Sequence, residues 1–521
     1  MVKTFTKLFH SQNSVRAASI LLVITLALSN ILGMFRDHFL ARYIPTADLD
    51  VYFAAFRIPD LIFNFLILGA IFSALVPIFA EFKAKDDLNH GWKVVNTVMN
   101  MAVMAMGAAA ILLYFLMPIL TKWVVPDFSA DKLAQTVRLS RILMLTPVFF
   151  ASSYVISGVL NTFKRFVAYS LAPLIYNASI IAGIFILGRS RGIEGVVYFV
   201  VLGSLLHLLI QLPTAVKIGF KFQPILDYKD KAVMKIFQLM LPRTIGLGAN
   251  QILLLIYTSI ASSLAAGSIS AFNFANNIQT VPTVVFGSSM ATAIFPTLTE
   301  AASNSDDQQF CGYLNKTIRT ISYILIPISL AIILLRAQII RLVLGSGQFA
   351  WNDTTLTAQT LGFFAVSLLP QGLSPLFARA FYAVKDTKTP MYLAVISTVL
   401  GVAFAYLMAP KYGVGGLALA FGISSYLNAI LLYIQLTKIP NYSPEKDFFP
   451  SIVKIVVISL LSAVVMQFSK HYFSRYINMN TFMGVLSQTI LVSMLFLLVF
   501  LGLSKIAGLR ELEWALKRKV S

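Results

Sequence analysis

The sequence predicts an all-α integral membrane protein with about fourteen transmembrane helices. Hydrophobic residues make up 58% of the 521 positions and charged residues only 12%, whereas a soluble domain has about 25% charged residues. The mean hydropathy is +0.80. The apolar runs are continuous and reach about 18 residues or more, enough to cross a hydrocarbon core, whereas the strands of a membrane barrel would alternate.

The apolar runs give the predicted helices in chain order. The first run follows Lys3, Lys7 and Arg16, but it is too long for a signal peptide and lacks a small-residue cleavage site, so it should remain as an anchor. The predicted spans cover residues 17–36, 52–80, 96–120, 137–159, 168–188, 195–216, 236–265, 269–298, 318–335, 356–382, 390–409, 416–436, 450–468 and 482–505.

Charge distribution predicts the orientation of these helices. Lys and Arg concentrate in the loops on the same side as the N-terminus, which favours a multi-pass protein with both termini in the cytoplasm. The net charge of +20 follows from this bias and from contact with anionic membrane lipids. No basic domain stands apart from the membrane, so no nucleic-acid partner is expected.

Three motifs recur at a separation of about 220 residues, which indicates an internal repeat. They are "ALVPIFAEF" (74–82) with "AIFPTLTEA" (293–301), "LNTFKRFVAYSLAP" (160–173) with "YAVKDTKTPMYLAV" (382–395), and "GIEGVVYFVVLGS" (192–204) with "GVGGLALAFGISS" (413–425). The alternative is that Pro and Gly punctuate unrelated membrane helices at similar places.

The repeat predicts a transporter with three regions. An N-lobe covers 1–220 (spans 1–6), a C-lobe covers 221–440 (spans 7–12), and 441–521 adds spans 13 and 14 with a basic tail. Two copies of six spans insert the same way up, so their pseudo-twofold axis should follow the membrane normal. Solute sites in such proteins lie between the lobes near the midplane.

Span 1 becomes polar in its second half. Ser29, Gly33 and Arg36 share one helical face, with Asn30 and Asp37 beside them. Arg36 alone could snorkel to the membrane boundary, but polar groups two turns deeper are costly unless they pair or face water. The pattern predicts either a cavity wall or a polar contact between helices.

Span 2 carries a second polar stripe that includes Asp50, Arg57, Asp60 and Asn64. Pro59 removes a backbone hydrogen bond and should bend the helix, which would turn Arg57 toward the interior. The alternative is an Arg57–Asp60 pair one turn apart that satisfies only itself.

Span 8 and two isolated arginines complete the candidate site. Ser270, Asn273, Asn277 and Thr280 form a stripe of hydroxyls and amides that should face span 2 or act as glue between helices. Arg243 and Arg379 fall within spans 7 and 10, where they either reach the cavity or meet headgroups at the boundary. A cavity with cations and neutral donors suits an anionic substrate.

Other chemistry has little support in the sequence. One cysteine, Cys311, and five scattered histidines predict neither a disulfide nor a metal site, and no cofactor is expected. "GLGANQ" and "GSGQF" lack the Lys-Ser/Thr of a phosphate-binding loop. A Na⁺ or H⁺ gradient, the membrane potential or a substrate gradient should therefore bias the cycle, with Asp37 and Asp50 as the candidate ion-binding carboxylates.

Several motifs resemble those of the MurJ/MviN family: "SNILGMFRD", "DVYFAAFRIPDLIFNFLILGAIFSALVPIFAE", "SGVLNTFKRF", "MLPRTIG", "FPTLTEAA" and "ARAFYAVKDTKTP". The resemblance extends over essentially the whole chain. It implies a V-shaped transporter of the bacterial inner membrane that flips lipid II, the polyprenyl-pyrophosphate precursor of peptidoglycan, by alternating access. Spans 13 and 14 would hold the polyprenyl tail.

The resemblance also assigns residues by position. The family's cavity serine and arginine in span 1 fall on Ser29 and Asn30, and its arginine–aspartate pair falls on Arg36 and Asp37. Two acidic family positions fall on Asp50 and Leu68, and two basic ones fall on Phe63 and Asn277. The family's serine in span 8 falls on Ser270. Three positive charges of the family are therefore absent, at Asn30, Phe63 and Asn277, and Arg57 with Arg243 or Arg379 is the hypothesised replacement.

Other functions remain as alternatives. The same architecture could export another polyprenyl-pyrophosphate glycan, or less readily a small molecule by antiport. A membrane glycosyltransferase would need a carboxylate-based metal or base site in a sizeable polar loop, and the loops here are short. We therefore expect a transporter and not an enzyme.

Overall fold

The computed structural model describes residues 15–65, 71–438 and 447–516, which form helices joined by short turns, with no strand in these ranges. By its internal contacts the chain divides into two compact units, Met1–Ile269 and Ser270–Ser521. The all-α fold class predicted from the sequence is confirmed.

Among the described residues, eleven helices precede the second unit. They are α1 (Val15–Tyr43), α2 (Thr46–Ala55), α3 (Arg57–Phe63), α4 (Ile71–Ala84), α5 (Leu88–Val124), α6 (Ala130–Leu143), α7 (Leu145–Thr162), α8 (Phe166–Gly183), α9 (Arg189–Leu209), α10 (Leu212–Lys217) and α11 (Lys231–Ser262). A π-helical stretch, Ile184–Gly188, joins α8 to α9.

The remaining helices begin close to the boundary between the units. They are α12 (Ser268–Pro282), α13 (Ser289–Ser303), α14 (Asp307–Val343), α15 (Trp351–Val366), α16 (Leu368–Ala383), α17 (Lys388–Tyr412), α18 (Val414–Leu436), α19 (Phe448–Phe473), α20 (Phe482–Ile506) and α21 (Arg510–Leu516). A second π-helical stretch, Thr283–Ser288, joins α12 to α13.

Many of these helices can cross a membrane. Within the described ranges, 9 helical segments are long and apolar enough, or 10 if the bent pair α15 and α16 is one span. The predicted count of about fourteen is not reached by this criterion. One reason is that Phe166–Lys217 counts once although its 52 residues would measure about 78 Å as a straight helix, enough for two crossings.

The backbone repeats its irregularities in both halves of the chain. Gly192 (φ 58°, ψ −144°) lies within the range of α9 but is not helical, and it separates two helical arms that pack along each other. Gly413 (φ 58°, ψ −143°) does the same between α17 and α18. The positive-φ residues Asp86 and Lys164 (58° and 57°) correspond to Ser305 and Lys385 (55° and 65°) at the same separation. Such angles are uncommon outside glycine, so their recurrence supports the internal repeat.

Prolines interrupt two spans, and a neighbouring helix takes up the carbonyl that each one frees. Pro59 cannot donate to Ala55, whose carbonyl instead accepts the Ser140 hydroxyl at 3.1 Å. Pro370 likewise leaves the Val366 carbonyl, which accepts the Tyr426 hydroxyl at 2.9 Å. Because lipid offers no hydrogen bonds, these contacts make the interrupted helices tolerable within the membrane.

Each unit has its own apolar core. In the first unit one cluster joins α4, α5 and α7 through residues such as Leu75, Val95 and Val159. In the second unit a cluster joins α13, α14, α16 and α18. A Cβ on Gly287 would lie 2.5 Å from the Gly372 Cα, so glycine there allows a close approach of helices, as is typical of membrane proteins.

Candidate functional site

Arg36 is the best-defined charged group of the predicted site. Its Nε and Nη2 donate to Asp37 Oδ1 at 3.0 and 2.8 Å, and its Nη1 donates to Asn177 Oδ1 on α8 at 3.1 Å. The Arg36 side chain is 22% exposed and the Asp37 side chain 6% exposed. Two helices therefore hold the guanidinium in one orientation while part of it stays accessible.

The Arg36 contacts leave defined binding capacity. A guanidinium has five N–H groups, and the three hydrogen bonds use one on each nitrogen. Within the part of the chain that the structure describes, one N–H remains on each terminal nitrogen. These two donors are available to bind phosphate oxygens.

Ser29 and Asn30 lie about two turns before Arg36 on α1, and both are half-buried. A Cβ built on Gly33, between them and Arg36, would meet no atom within 4 Å, so the space beside this face of α1 is open. The structure thus leaves open space beside Gly33 on the predicted polar face of span 1.

Asp50 is buried, with 2% of its surface exposed, at the start of span 2. Its Oδ2 accepts the backbone N–H of Gly267 at 2.6 Å, just before α12 begins. A carboxylate that accepts backbone N–H groups is stabilised in its charged form even when buried. Asp50 therefore fastens α2 to the turn that leads into α12.

Arg57 begins α3 and is half-buried. Its Nε donates to Thr258 Oγ1 on α11 at 2.7 Å, and Thr258 donates onward to the Leu254 carbonyl at 2.8 Å. Arg57 therefore has a hydrogen-bond partner outside its own helix, so it is not paired with Asp60 alone. Asn64 instead turns back to the Asp60 carbonyl, at 2.8 Å.

Ser270 and Asn277 lie on α12 in the second unit, where Ser270 is fully buried and Asn277 is half-buried. Nearby, Gln279 donates to Asn276 Oδ1 at 3.0 Å, and Thr280 donates to the Asn276 carbonyl at 2.7 Å. This stripe is polar along its length, as predicted. Its meeting with span 2 stays a prediction.

Of four other positions named from the sequence, the structure describes the side chains of two. The side chain of Arg243 on α11 and residue Leu68 both lie outside the described part of the chain. Arg379 on α16 is half-buried, with no hydrogen bond or ion pair to its side chain among the described residues. Phe63, at a family position that is basic, packs against Phe150 and Tyr154.

The structure adds three residues that the sequence did not single out: Asn177, Thr258 and Gly267. Asn177 is the clearest, because its Nδ2 bonds the Pro173 carbonyl at 3.1 Å while its Oδ1 faces Arg36. The available signal was an amide within the otherwise apolar stretch "LAPLIYNASIIAG". Gly267 and Thr258 gave no such signal, since their partners are more than 200 positions away.

Comparison with known sequences identifies one family. The model of the family "Lipid II flippase MurJ" matches residues 44–487. The lipid II flippase MurJ of Burkholderia cenocepacia is 28% identical over 454 residues, which are 84% of this chain and 87% of that protein. The probable lipid II flippase MurJ of Haemophilus influenzae is 29% identical over 477 residues, 88% and 93% of the two chains.

Solved structures agree with the sequence comparison. A lipid II flippase MurJ in an inward closed conformation matches with a TM-score of 0.78 and 26% identity, over 94% of this chain and 98% of that one. An inward-facing multidrug resistance MATE family transporter of the MOP superfamily matches with a TM-score of 0.66 over 78% and 93%. At 15% identity the second match shows a shared fold alone.

Proposed function

This chain belongs to the MurJ family of lipid II flippases, and we propose that it carries lipid II from the inner to the outer leaflet of the bacterial inner membrane by alternating access. Flippases are transporters, so the chain is not an enzyme. The multi-pass helical architecture and the transporter fold support this function.

The Arg36 arrangement carries the proposal at the level of the site. A pyrophosphate group is anionic and presents paired oxygens, which an oriented guanidinium binds through two parallel N–H groups. Asp37 and Asn177 hold Arg36 from two sides and leave one N–H on each terminal nitrogen for a ligand. Binding then requires little further ordering of the side chain.

The remaining site residues extend this proposal. Ser29 and Asn30 would supply neutral donors on the same face of α1, and Ser270 and Asn277 would do so from the second half of the chain. Arg57 and either Arg243 or Arg379 would replace the positive charge that the family has where this chain has Asn30, Phe63 and Asn277. The polar, half-buried state of Ser29, Asn30, Arg57 and Asn277 supports this assignment.

Three coarser features complete the proposal. The lobes cover residues 1–220 and 221–440, and residues 441–521 hold the lipid tail. Both termini face the cytoplasm, in accord with the distribution of Lys and Arg. A Na⁺ or H⁺ gradient or the membrane potential biases the cycle, and Asp37 and Asp50 are the carboxylates through which an ion would act.

Complementation tests the proposal directly. In a bacterium depleted of its own lipid II flippase, the wild-type chain should restore growth and lipid II in the outer leaflet. Arg36→Ala should abolish both, because the pyrophosphate loses its oriented charge, and Arg36→Lys should restore little, because an ammonium lacks the paired donors.

Arg42→Ala is the matched control. Arg42 is exposed at the end of the same helix with its guanidinium 5.6 Å from the Tyr43 ring centre, so its loss should leave rescue intact. Equal amounts of each variant in the membrane must be verified by immunoblot. Full rescue by Arg36→Ala would remove this residue from the binding site.

A second candidate function follows from the charges that this chain lacks. Asn30, Phe63 and Asn277 stand at basic family positions, which favours a less highly charged or differently substituted polyprenyl-pyrophosphate glycan. If the wild-type chain fails to restore outer-leaflet lipid II but exports such a glycan in a host that makes one, the second candidate replaces the first.

A further inference from the structure

A cavity of about 390 Å³ lies at the open end of the helical hairpin that runs from Phe166 to Lys217. Its polar lining comes from Arg165, Thr214 and Lys217, and its apolar wall from residues such as Leu171 and Ile210. No carboxylate lines it. Two cations, a hydroxyl and an apolar wall suit an amphipathic anion.

The cavity lies where the hairpin leaves the membrane. With Gly192 at the turn, each arm has about 26 residues and measures roughly 39 Å, more than the hydrocarbon core of about 30 Å. The first residues of α8 and the last residues of α10 therefore reach the headgroup layer, where phospholipid phosphates are concentrated. Basic pockets at this depth are a known means of holding lipid headgroups.

The N-terminus of α8 adds backbone donors to the two cations. Arg165 stands at the N-cap and its side chain makes no capping hydrogen bond, so the first-turn N–H groups of Val167 and Ala168 have no intrahelical acceptor. Both residues line the cavity. The positive end of the helix dipole points to the same place.

The second copy of the repeat shows what these amides bind. Lys385 corresponds to Lys164 because both have a positive φ. Asp386 is therefore the residue of the second copy that is equivalent to Arg165. Asp386 Oδ1 accepts the N–H groups of Lys388 and Thr389, both at 3.0 Å, at the start of α17. In the second copy an internal carboxylate occupies the helix end, whereas the first copy has a cation and a cavity there.

We propose that this cavity binds the phosphodiester of an anionic membrane phospholipid. Arg165 and Lys217 contact the phosphate oxygens together with the Val167 and Ala168 amides, Thr214 donates its hydroxyl, and the Leu171–Ile210 wall packs on an acyl chain. The site is separate from Arg36 and its partners, and it does not depend on which glycolipid the protein transports.

Native mass spectrometry of the full-length protein with added phosphatidylglycerol tests the site. We expect the wild type to retain phosphatidylglycerol in preference to phosphatidylcholine, and the double variant Arg165→Ala, Lys217→Ala to retain about ten-fold less. The control Lys164→Ala removes an exposed cation that does not line the cavity and should retain the wild-type amount. Unchanged retention by the double variant would overturn the proposal.

Arg165→Asp provides a second test in a variant that should fold well. It copies the cap of the second repeat, so its unfolding temperature without lipid should exceed that of the wild type, and phosphatidylglycerol should no longer raise it. A further rise with phosphatidylglycerol in this variant would contradict the site. Inorganic phosphate is the other arm: if it stabilises the wild type as much as phosphatidylglycerol does, the site takes free phosphate, and the lipid assignment is wrong.

Discussion

At the scale of single residues, Arg36 shows how a charge is accommodated in a membrane helix. An isolated cation in hydrocarbon is strongly disfavoured, so intramembrane arginines pair or face water. Arg36 is paired, because Asp37 and Asn177 engage three of its donors, and 22% of its side chain stays exposed. The charge of Asp37 lowers the energetic cost of burying Arg36, and two N–H groups of the guanidinium remain for a substrate.

Asn177 should matter through the orientation of Arg36. Replacing it by Ala removes one hydrogen bond to the guanidinium, worth about 1.5 kcal/mol, which corresponds to roughly a ten-fold loss in substrate binding or transport. The readout is the amount of outer-leaflet lipid II at limiting expression. Asn161→Ala, which removes a bond to the Tyr169 hydroxyl at a helix end, is the control and should transport normally. Wild-type transport by Asn177→Ala would show that Asp37 alone orients Arg36.

At the scale of helices, ends and interruptions are settled by local chemistry. Asp87 and Asp306 occupy the N-caps of α5 and α14 and accept the N–H groups of His90 and Gln309. The Ser140 and Tyr426 hydroxyls donate to the carbonyls that Pro59 and Pro370 leave without an N–H partner. Because these backbone groups have partners, the helices that carry them can begin or bend within or beside the membrane.

The Asp386 cap should make stability depend on pH. Burial raises the pKa of this carboxyl, but hydrogen bonds from Thr389 and Lys388 lower it by more, so the net pKa lies below the ordinary value. The cap therefore stabilises the fold above the unfolded-state pKa of about 3.9 and is lost as the pH falls through the folded-state pKa. Asp386→Ala removes the acceptor and should lower the free energy of unfolding by about 1 kcal/mol at neutral pH.

Thermal unfolding of the two proteins across pH measures this difference. The difference in stability between the two proteins should shrink toward zero as the pH falls below the ordinary carboxyl range. A difference that stays constant down to the lowest pH would show that the charge of Asp386 contributes nothing. Asp353 on α15, whose Oδ2 accepts the Ala350 N–H, offers a comparison cap in the same unit.

Gly192 and Gly413 should tolerate no side chain, for backbone reasons alone. A Cβ on either would meet no atom within 4 Å, yet both have φ of 58° with ψ near −144°, which L-residues rarely adopt. Changing either one to Ala should cost about 1–3 kcal/mol of unfolding free energy. The control is Gly107→Ala in α5, which also meets no atom within 4 Å but has no positive φ, and it should be neutral or slightly stabilising. Equal unfolding temperatures for all three variants would refute the strain argument.

At the scale of the whole chain, a buried ion pair holds α21 against other helices of the second unit. Arg319 Nε on α14 donates to Glu511 Oε1 on α21 at 2.5 Å, and Arg319 Nη2 donates to Ser451 Oγ on α19 at 3.3 Å. Arg319 is 3% exposed and Glu511 0% exposed. Three helices far apart in sequence thus meet at one pair of charges.

Breaking this pair should be costly. Arg319→Met leaves the Glu511 carboxylate buried without its counter-charge, which costs about 3–5 kcal/mol, whereas the double change Arg319→Met, Glu511→Leu should recover much of that loss. Denaturant unfolding in detergent gives both values. Arg510→Ala, which affects a 3.9 Å pair between two exposed side chains, should change stability by less than about 0.5 kcal/mol. A single variant no worse than the double would show that the pair has no net coupling.

Much of the site was predictable residue by residue, but its partners were not. Ser29, Asn30, Arg36 and Asp37 follow from polar residues at helical spacing in an apolar run, because such residues are costly in lipid. Asn177 and Thr258 could not be assigned, because a single amide or hydroxyl in a helix gives no direction. The pairing of Asp50 with the Gly267 N–H was equally out of reach, since backbone donors carry no sequence signature.

The sequence by itself determined that the chain lies in a membrane and that its fold is all-α, because the length of hydrophobic runs acts locally along the chain. The predicted number of spans was not reached among the described residues. Tertiary structure alone decided which polar groups meet: Arg36 with Asn177, Arg57 with Thr258, Arg319 with Glu511. These contacts join residues more than 130 positions apart, and their geometry depends on how helices pack. Packing in a membrane is set by close fit of whole helix faces, which no short stretch of sequence encodes.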